Sequence, residues 1–261
     1  YVVLLNSDIE PTDRWLEVML EYMDQHQEVV AAQPKVLSWH SKQQFAAGET
    51  DAIRFEHAGA AGGMLDALGY PYCRGRLMTY IEDDHGQYDD TIPIFWATGA
   101  CMLVRMKVYE ELGGLDGAFF AHQEEIDLCW RMHNYASGEE PTIVAIPQAV
   151  VYHLGGGTLG YENSRKTFLN FRNNLLMLYK NLPGSHRWWI MLVRLGMDYL
   201  AALQMLLTGQ KENVKAVVKA RLAYHKMTKE YLPTHDNKMR GFYLLARRSI
   251  VWDFYVRKKR V

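Results

Sequence analysis

The sequence predicts an α/β domain followed by a C-terminal helical appendage. An apolar run stops at Leu4-Leu5-Asn6-Ser7-Asp8, the pattern of a buried strand that ends with a carboxylate at its tip. Open α/β sheets place their ligands at such strand ends. Strand-like and helix-like segments then follow one another to about residue 160. From Ser164 the pattern becomes helical and the sign of the charge reverses.

That reversal is hidden by a net charge of −1. Through Gly160 there are 9 Lys/Arg against 24 Asp/Glu, a net of −15, and from Tyr161 onward 20 against 6, a net of +14. Such a split marks two units with different partners, residues 1–160 and 161–261. At 261 residues the chain is long enough for one good core plus an appendage. The acidic part suits a metal-dependent site and the basic part an anionic surface. Nucleic acid is the rival partner for the basic part, but no nucleic-acid fold motif appears, so none is expected. Cys73, Cys101 and Cys129 are dispersed and odd in number, without metal-ligand spacing, which points to a reducing compartment, the cytosol by default.

The elements follow in order. Pro11-Thr12-Asp13 opens a helix whose apolar positions are Trp15, Leu16, Met19, Tyr22 and Met23. Val29 to Ala32 and Lys35 to Trp39 read as short strands either side of Pro34. Residues 40–91 show no clear periodicity, and a segment of that length is usually functional or mobile. Ile92 to Arg105 reads as a buried strand broken at Gly99, followed by a short helix that Gly113-Gly114 ends. A helix is expected over Glu124 to Asn134. Its first turn carries Glu124, Glu125 and Asp127, which the helix dipole favours, and Asp127 is spaced to pair with Arg131. Ile143 to Ile146 and Ala149 to His153 read as strands that lead into Gly155-Gly156-Gly157. That glycine run suits either a phosphate cover or a hinge.

Helices dominate after Ser164. Trp188 to Leu207 is the most hydrophobic stretch, yet it holds Arg194 and Asp198, which can pair at i and i+4. Two charges argue against a spanning helix. Trp188-Trp189, the apolar face and the basic flanks fit a helix lying in a membrane interface, the alternative being one packed inside the protein or in a homo-oligomer. Asn213 to Met227 is basic and amphipathic, and Arg257-Lys258-Lys259-Arg260 adds a basic tail suited to an anionic leaflet.

Taken in order, Asn6-Ser7-Asp8, Trp96-Ala97-Thr98-Gly99-Ala100-Cys101, Phe119 to Arg131 with its Glu124-Glu125, and Val151-Tyr152-His153 resemble a family 2 glycosyltransferase of the GT-A type. The likeness is to the bacterial rhamnosyltransferase-like branch and covers roughly residues 1–182. It implies that the chain is the later portion of a GT-A fold. The family's acidic triplet, which binds the metal and nucleotide diphosphate, maps onto Asn6-Ser7-Asp8. Asp8 then holds a divalent cation (Mn or Mg), His153 can complete the metal site, and Asn6 assists at the nucleotide. The family's Glu-Asp pair maps onto Glu124-Glu125, with Glu125 as the presumed base. Glu124 and Asp127 are the further catalytic candidates, Asp127 the more structural. Trp96, Gly99 and Ala100 would shape the sugar and acceptor pocket.

Two residues depart from the family pattern: Asn6 stands where Asp is usual, leaving Asp8 as the only carboxylate of the triplet, and Glu125 replaces the usual Asp. The strand, loop and helix that grip the nucleotide base should precede Tyr1. The chain is therefore read as a piece of a longer product, and an inactive fragment or a non-catalytic assembly module is the alternative to an enzyme. A phosphate-ester hydrolase would want further ligands close to Asp8, which the sequence lacks. The implied reaction is an inverting transfer from a nucleotide-diphosphate sugar, deoxythymidine diphosphate rhamnose first and uridine diphosphate sugars next. The implied acceptor is a glycan or lipid-linked glycan of cell-surface polysaccharide synthesis, at the inner face of the cell membrane.

Overall fold

The structure, a computed structural model, describes residues 1–135, 141–155, 163–231 and 249–259. In chain order it contains β1 (Val2–Leu5), β2 (Ile9–Pro11), α1 (Trp15–Gln25), β3 (Val29–Ser38), α2 (Trp39–Ala46), β4 (Ile53–Arg54), β5 (Gly63–Leu65), β6 (Pro71–Cys73), β7 (Arg76–Leu77), β8 (Tyr80–Ile81), β9 (Asp83–Asp84), β10 (Ile92–Pro93) and β11 (Cys101–Val104). There follow α3 (Met106–Glu111), α4 (Glu124–His133), β12 (Thr142–His153), α5 (Ser164–Asn181), α6 (Gly184–Leu207), α7 (Lys211–Met227) and α8 (Ile250–Tyr255). The chain is thus α/β with a helical C-terminal region, as its sequence predicts. It divides into two compact units. One comprises Tyr1–Gly114, Leu128–Gly157 and Arg240–Val261; the other comprises Leu115–Asp127 and Thr158–Met239.

The first unit is built on a mixed sheet of order β1-β11-β3-β12-β10, with β2 pairing with the far end of β12. β3 and β12 run parallel, and the other pairs are antiparallel. β3 is buried through Leu37, its central place in the sheet covering Gln33 and Lys35 as well as its apolar residues. Met19 and Met23 of α1 seal one face of it against Val29, Ala32, Leu103, Val144, Ile146 and Ala149. Both are fully buried, which contributes about 1.5–3 kcal/mol each.

The local expectations differ from the structure in several places: Ile92 to Arg105, for one, is not a strand broken at Gly99 but β10 and β11, which lie apart in the sheet with a loop between them. Pro11-Thr12-Asp13 does not open α1: Pro11 ends β2, the Thr12 hydroxyl donates to Val150 O at 2.7 Å, and the helix starts at Trp15 without a side-chain cap. The two strand pieces around Pro34 are one strand, and so are the two pieces of β12. Pro34 pairs with Ile146, where the register of β12 shifts before resuming at Lys35↔Val150. The irregularity absorbs the N–H that proline lacks, which is how a central strand tolerates it. Residues 40–91 are not one irregular excursion, for they contain α2, the β4–β9 pair and a four-stranded sheet β5-β6-β7-β8. Strands of two or three residues are too short for alternation to register in the sequence.

In the second unit α5, α6 and α7 are the main helices. Arg194 and Asp198 pair at 3.6 Å, as their spacing predicts, and Arg221 of α7 reaches the same carboxylate at 3.2 Å. All three are buried. With its charges turned toward α7, α6 leaves Trp188, Leu192, Leu200, Leu203 and Leu207 exposed. Among the described residues it is the one helix long and apolar enough to cross a membrane, judged by length and composition. Arg260 and Val261 lie outside the described residues, as do Gly156, Gly157 and the 160/161 boundary.

Candidate functional site

β12 ends between two strands. His153 is paired with Ile9 of β2 on one side and Ser38 of β3 on the other. Asp8 immediately precedes β2, and its carbonyl accepts the N–H of Leu154 at 3.1 Å. This brings Asp8 Oδ1 to 3.2 Å from His153 Nε2, close enough for an ion pair but not aligned as a hydrogen bond. A third group is present that the sequence reading missed. Glu56 Oε1 lies 3.8 Å from His153 Nδ1, and its backbone is fixed by Glu56 N donating to Val36 O at 3.0 Å. Burial raises the Glu56 carboxyl above its usual range, against the opposing pull of His153. Gly155 has φ +62°, and a Cβ there would sit 2.8 Å from Glu56 Oε1. The positive φ favours glycine at this first position of the run, and a side chain there would also press on the Glu56 carboxylate.

Both ring nitrogens of His153 are buried without a hydrogen-bond partner among the described residues. A buried imidazole left so, with a carboxylate at either edge, fits a ligand that a cation would complete, with Glu56 orienting the ring from its other nitrogen. No group of three or more His, Cys, Asp or Glu is arranged to hold a metal among the described residues. The donors here are Asp8 and His153, and the remaining positions would fall to the ligand's own oxygens.

Asn6 and Ala100 are brought together as well: Asn6 N donates to Ala100 O at 2.9 Å, extending the β1–β11 ladder by a residue. The segment from Trp96 to Ala100 is tied to β3 by the buried Gln33, whose Oε1 accepts Thr98 N at 2.9 Å. Trp96 is buried, and its indole N–H donates to Met64 O at 2.9 Å. Gly63 has no room for a Cβ, which would lie 2.2 Å from that ring. Gly99 is half-buried and the Asn6 side chain exposed.

In the second unit, the chain before α4 takes an uncommon path. Asp116 caps a short 3₁₀ turn, Gly117–Phe119. Phe120 then adopts φ 65°, ψ −57°, with Ala121 N donating to Phe119 O at 2.8 Å. That is the γ-turn of the rare, strained hand. His122 and Gln123 follow at φ 69° and 72°. Non-glycine residues in such regions cost about 1–3 kcal/mol each and persist only where the surroundings impose them. Here α5 imposes them. Arg172 Nη2 donates to Ala118 O at 3.1 Å and Phe119 O at 2.8 Å. Asn173 Nδ2 donates to Phe119 O, Ala121 O and His122 O at 2.9, 2.7 and 2.7 Å. Asn174 Nδ2 donates to Gln123 Oε1 at 2.8 Å.

This loop delivers Glu124 and Glu125 to the first turn of α4. Each has an Oε2 shut off from solvent with no hydrogen-bond partner among the described residues. Burial, reinforced by the neighbouring Glu124, pushes Glu125 up to about 8, although the backbone N–H groups of Glu125, Gln123 and Ile126 favour its charged form. Burial also raises Glu124. A carboxyl that titrates near neutrality, with an unsatisfied oxygen, can take a proton from a hydroxyl. Asp127 differs: it is fully buried, with Lys180 at 3.0 Å and the Asn181 amide donating at 2.8 Å. Arg131 donates to Leu112 O and Gly114 O.

No family profile matches the chain. Among curated proteins, the N-acetylglucosaminyl-diphospho-decaprenol L-rhamnosyltransferase of Mycobacterium tuberculosis is 26% identical over 129 residues, 49% of this chain and 39% of its own. The low-salt glycan biosynthesis hexosyltransferase Agl10 of Haloferax volcanii is 31% identical over 93 residues, 35% of this chain and 29% of its own. The chain is a relative of glycosyltransferases. It spans well under half the length of these two relatives. A solved structure of GalNAc-T7 with UDP, GalNAc and Mn2+ aligns with 68% of this chain and 31% of that one, at 13% identity and a TM-score of 0.44. At that score the likeness locates no ligand here.

Proposed function

We propose that the chain supplies the acceptor-activating and metal-holding residues of an inverting glycosyltransferase that acts on a nucleotide-diphosphate sugar. The observation that carries this reading is Glu125, a shielded carboxyl with an orphaned oxygen and an affinity for protons near neutral pH. Glu125 accepts the proton of an acceptor hydroxyl, and that oxygen bonds to the anomeric carbon from the side opposite the diphosphate. The bond to the diphosphate oxygen breaks with its electron pair, and the configuration inverts in one step. General-base assistance of this kind contributes about 10² to 10⁴ in rate.

Asp8 and His153 would hold a divalent cation, which when bound supplies positive charge to the leaving diphosphate. Glu56 keeps the His153 ring in place, and Asn6 assists on the nucleotide side. Glu124 raises the proton affinity of its neighbour, and Asp127 anchors the helix turn. The rhamnosyltransferase relative's name supports rhamnose as the sugar and a lipid-linked glycan as the acceptor, and the family resemblance suggests deoxythymidine diphosphate as the carrier. The exposed flank of α6 and the basic charge of its half support docking on the inner face of an anionic membrane. A non-catalytic assembly module is the second reading, favoured by the single carboxylate of the Asn6-Ser7-Asp8 triplet.

The test is sugar transfer by the full protein, with radiolabelled deoxythymidine and uridine diphosphate sugars and a polyprenyl-diphosphate glycan acceptor. A product with inverted anomeric configuration is expected. Donor binding without transfer to any such acceptor would favour the assembly module.

A further inference from the structure

The asparagine pair of α5 is buried and spent on another segment, Asn173 on its backbone and Asn174 on the Gln123 side chain. Asn173 is fully buried, and its amide has a single orientation, because Oδ1 accepts Arg172 Nε at 2.8 Å and Nδ2 must therefore donate. Its two N–H bonds are shared among three carbonyls in four consecutive residues. Those carbonyls lie in the stretch where Phe120, His122 and Gln123 take positive φ. Gln123, the residue whose carbonyl accepts the first bond of α4 from Asp127 N at 3.0 Å, is gripped through its side chain by Asn174.

We propose that Asn173 is a positioning residue for Glu125: it holds the 119–123 backbone in its left-handed path and so sets where the first turn of α4 points its carboxyl. This rests on the reading of Glu125 as the base. A helix N-terminus approached through ordinary extended backbone would enter at another angle, and the Glu125 carboxyl would swing with it. Unfavourable backbone that leads into one helix turn, held by buried side chains of another helix, is the arrangement expected where placement matters more than stability.

The test is a double-mutant cycle in the full protein. Asn173→Asp keeps the shape of the side chain, removes both donors and sets a negative charge against three carbonyl oxygens. A displacement of about 1 Å at a reacting group costs roughly a hundredfold in rate, so kcat should fall by about that factor while the donor KM stays within about twofold. In the Glu125→Gln background the same change should have almost no further effect, because the group it positions is already disabled. A lesion that merely loosens the protein would instead lower the residual rate in both backgrounds. If Asn173→Asp fails to fold, Asn174→Ala carries the same cycle, releasing only the Gln123 side chain, with a loss of about tenfold expected. Full kcat in a folded variant, or equal losses with and without Glu125, overturns the proposal. Full kcat in Glu125→Gln alone overturns the assignment of the base itself.

Discussion

Glu125→Gln should make the protein inactive and more stable at once. The native state holds the Glu125 proton up to about pH 8, against an ordinary value of 4.5. For a carboxyl whose folded value is raised, the stabilising protonated form is fully present below 4.5 and is lost as pH climbs toward 8. At pH 7 the unfolded chain has ionised through about 2.5 units while the folded chain has barely begun, which at about 1.4 kcal/mol per unit weakens the wild type by about 3 kcal/mol. Glutamine never ionises, so the variant escapes this loss. Its buried amide adds a penalty of about 1–3 kcal/mol, but one independent of pH.

The clean readout is therefore the change in the stability difference between pH 4 and pH 7. Thermal melts of both proteins across that range should show the variant gaining about 6–12 °C on the wild type, at about 2–4 °C per kcal/mol for a domain of this size. Transfer assays on the same samples should show kcat reduced by about 10² to 10⁴. In the wild type, kcat/KM should rise about tenfold per pH unit and level near pH 8, where the base is ionised. A stability difference that does not move with pH would refute the burial argument, and an unchanged kcat would refute the role.

Asp8→Ala should abolish the effect of Mn or Mg on donor affinity measured by calorimetry, and His153→Ala should weaken it less; donor affinity indifferent to either metal in the intact protein would remove the cation from the reading. Lys180→Met removes the ammonium that the buried Asp127 shares with Asp116, at a cost of about 3–5 kcal/mol, visible as a lower Tm at pH 7. Vesicles containing anionic lipid should co-sediment the protein and release part of it as salt rises, because screening over about 8 Å weakens only the charge attraction. Replacing Leu192 and Leu200 by Glu should remove the salt-resistant part, and no binding even at low salt would mean another apolar surface covers α6.

The main elements were legible because they are long. Met19 and Met23 announce α1 by their spacing, and the apolar runs from Val29 and Ile143 announce the paired central strands. Arg194 and Asp198 were matched correctly from their interval alone. What escaped was decided by distant partners. Nothing near Pro34 in the chain indicates that the opposing strand bulges to accommodate it, and nothing near Glu56 indicates that it reaches the end of β12 some hundred residues later. The Glu124-Glu125 pair is visible as a motif, whereas the strained turn in front of it is not, since Phe120 and Gln123 carry no preference for the left-handed region and the weak preference of a lone His122 does not mark a turn. Their conformation is written in Asn173 and Asn174, which a reader of the sequence meets only as polar residues in an otherwise amphipathic helix.

The ion triad between α6 and α7 has a mechanical consequence. An apolar helix with one polar side can ordinarily roll about its own axis as it meets a bilayer, sampling depths and faces. Here a roll of one residue, about 100°, would carry Arg194 and Asp198 away from Arg221 and leave a buried charge without its counterpart. The helix is keyed like a shaft in its slot, so whatever its oily flank rests upon meets the same row of side chains every time.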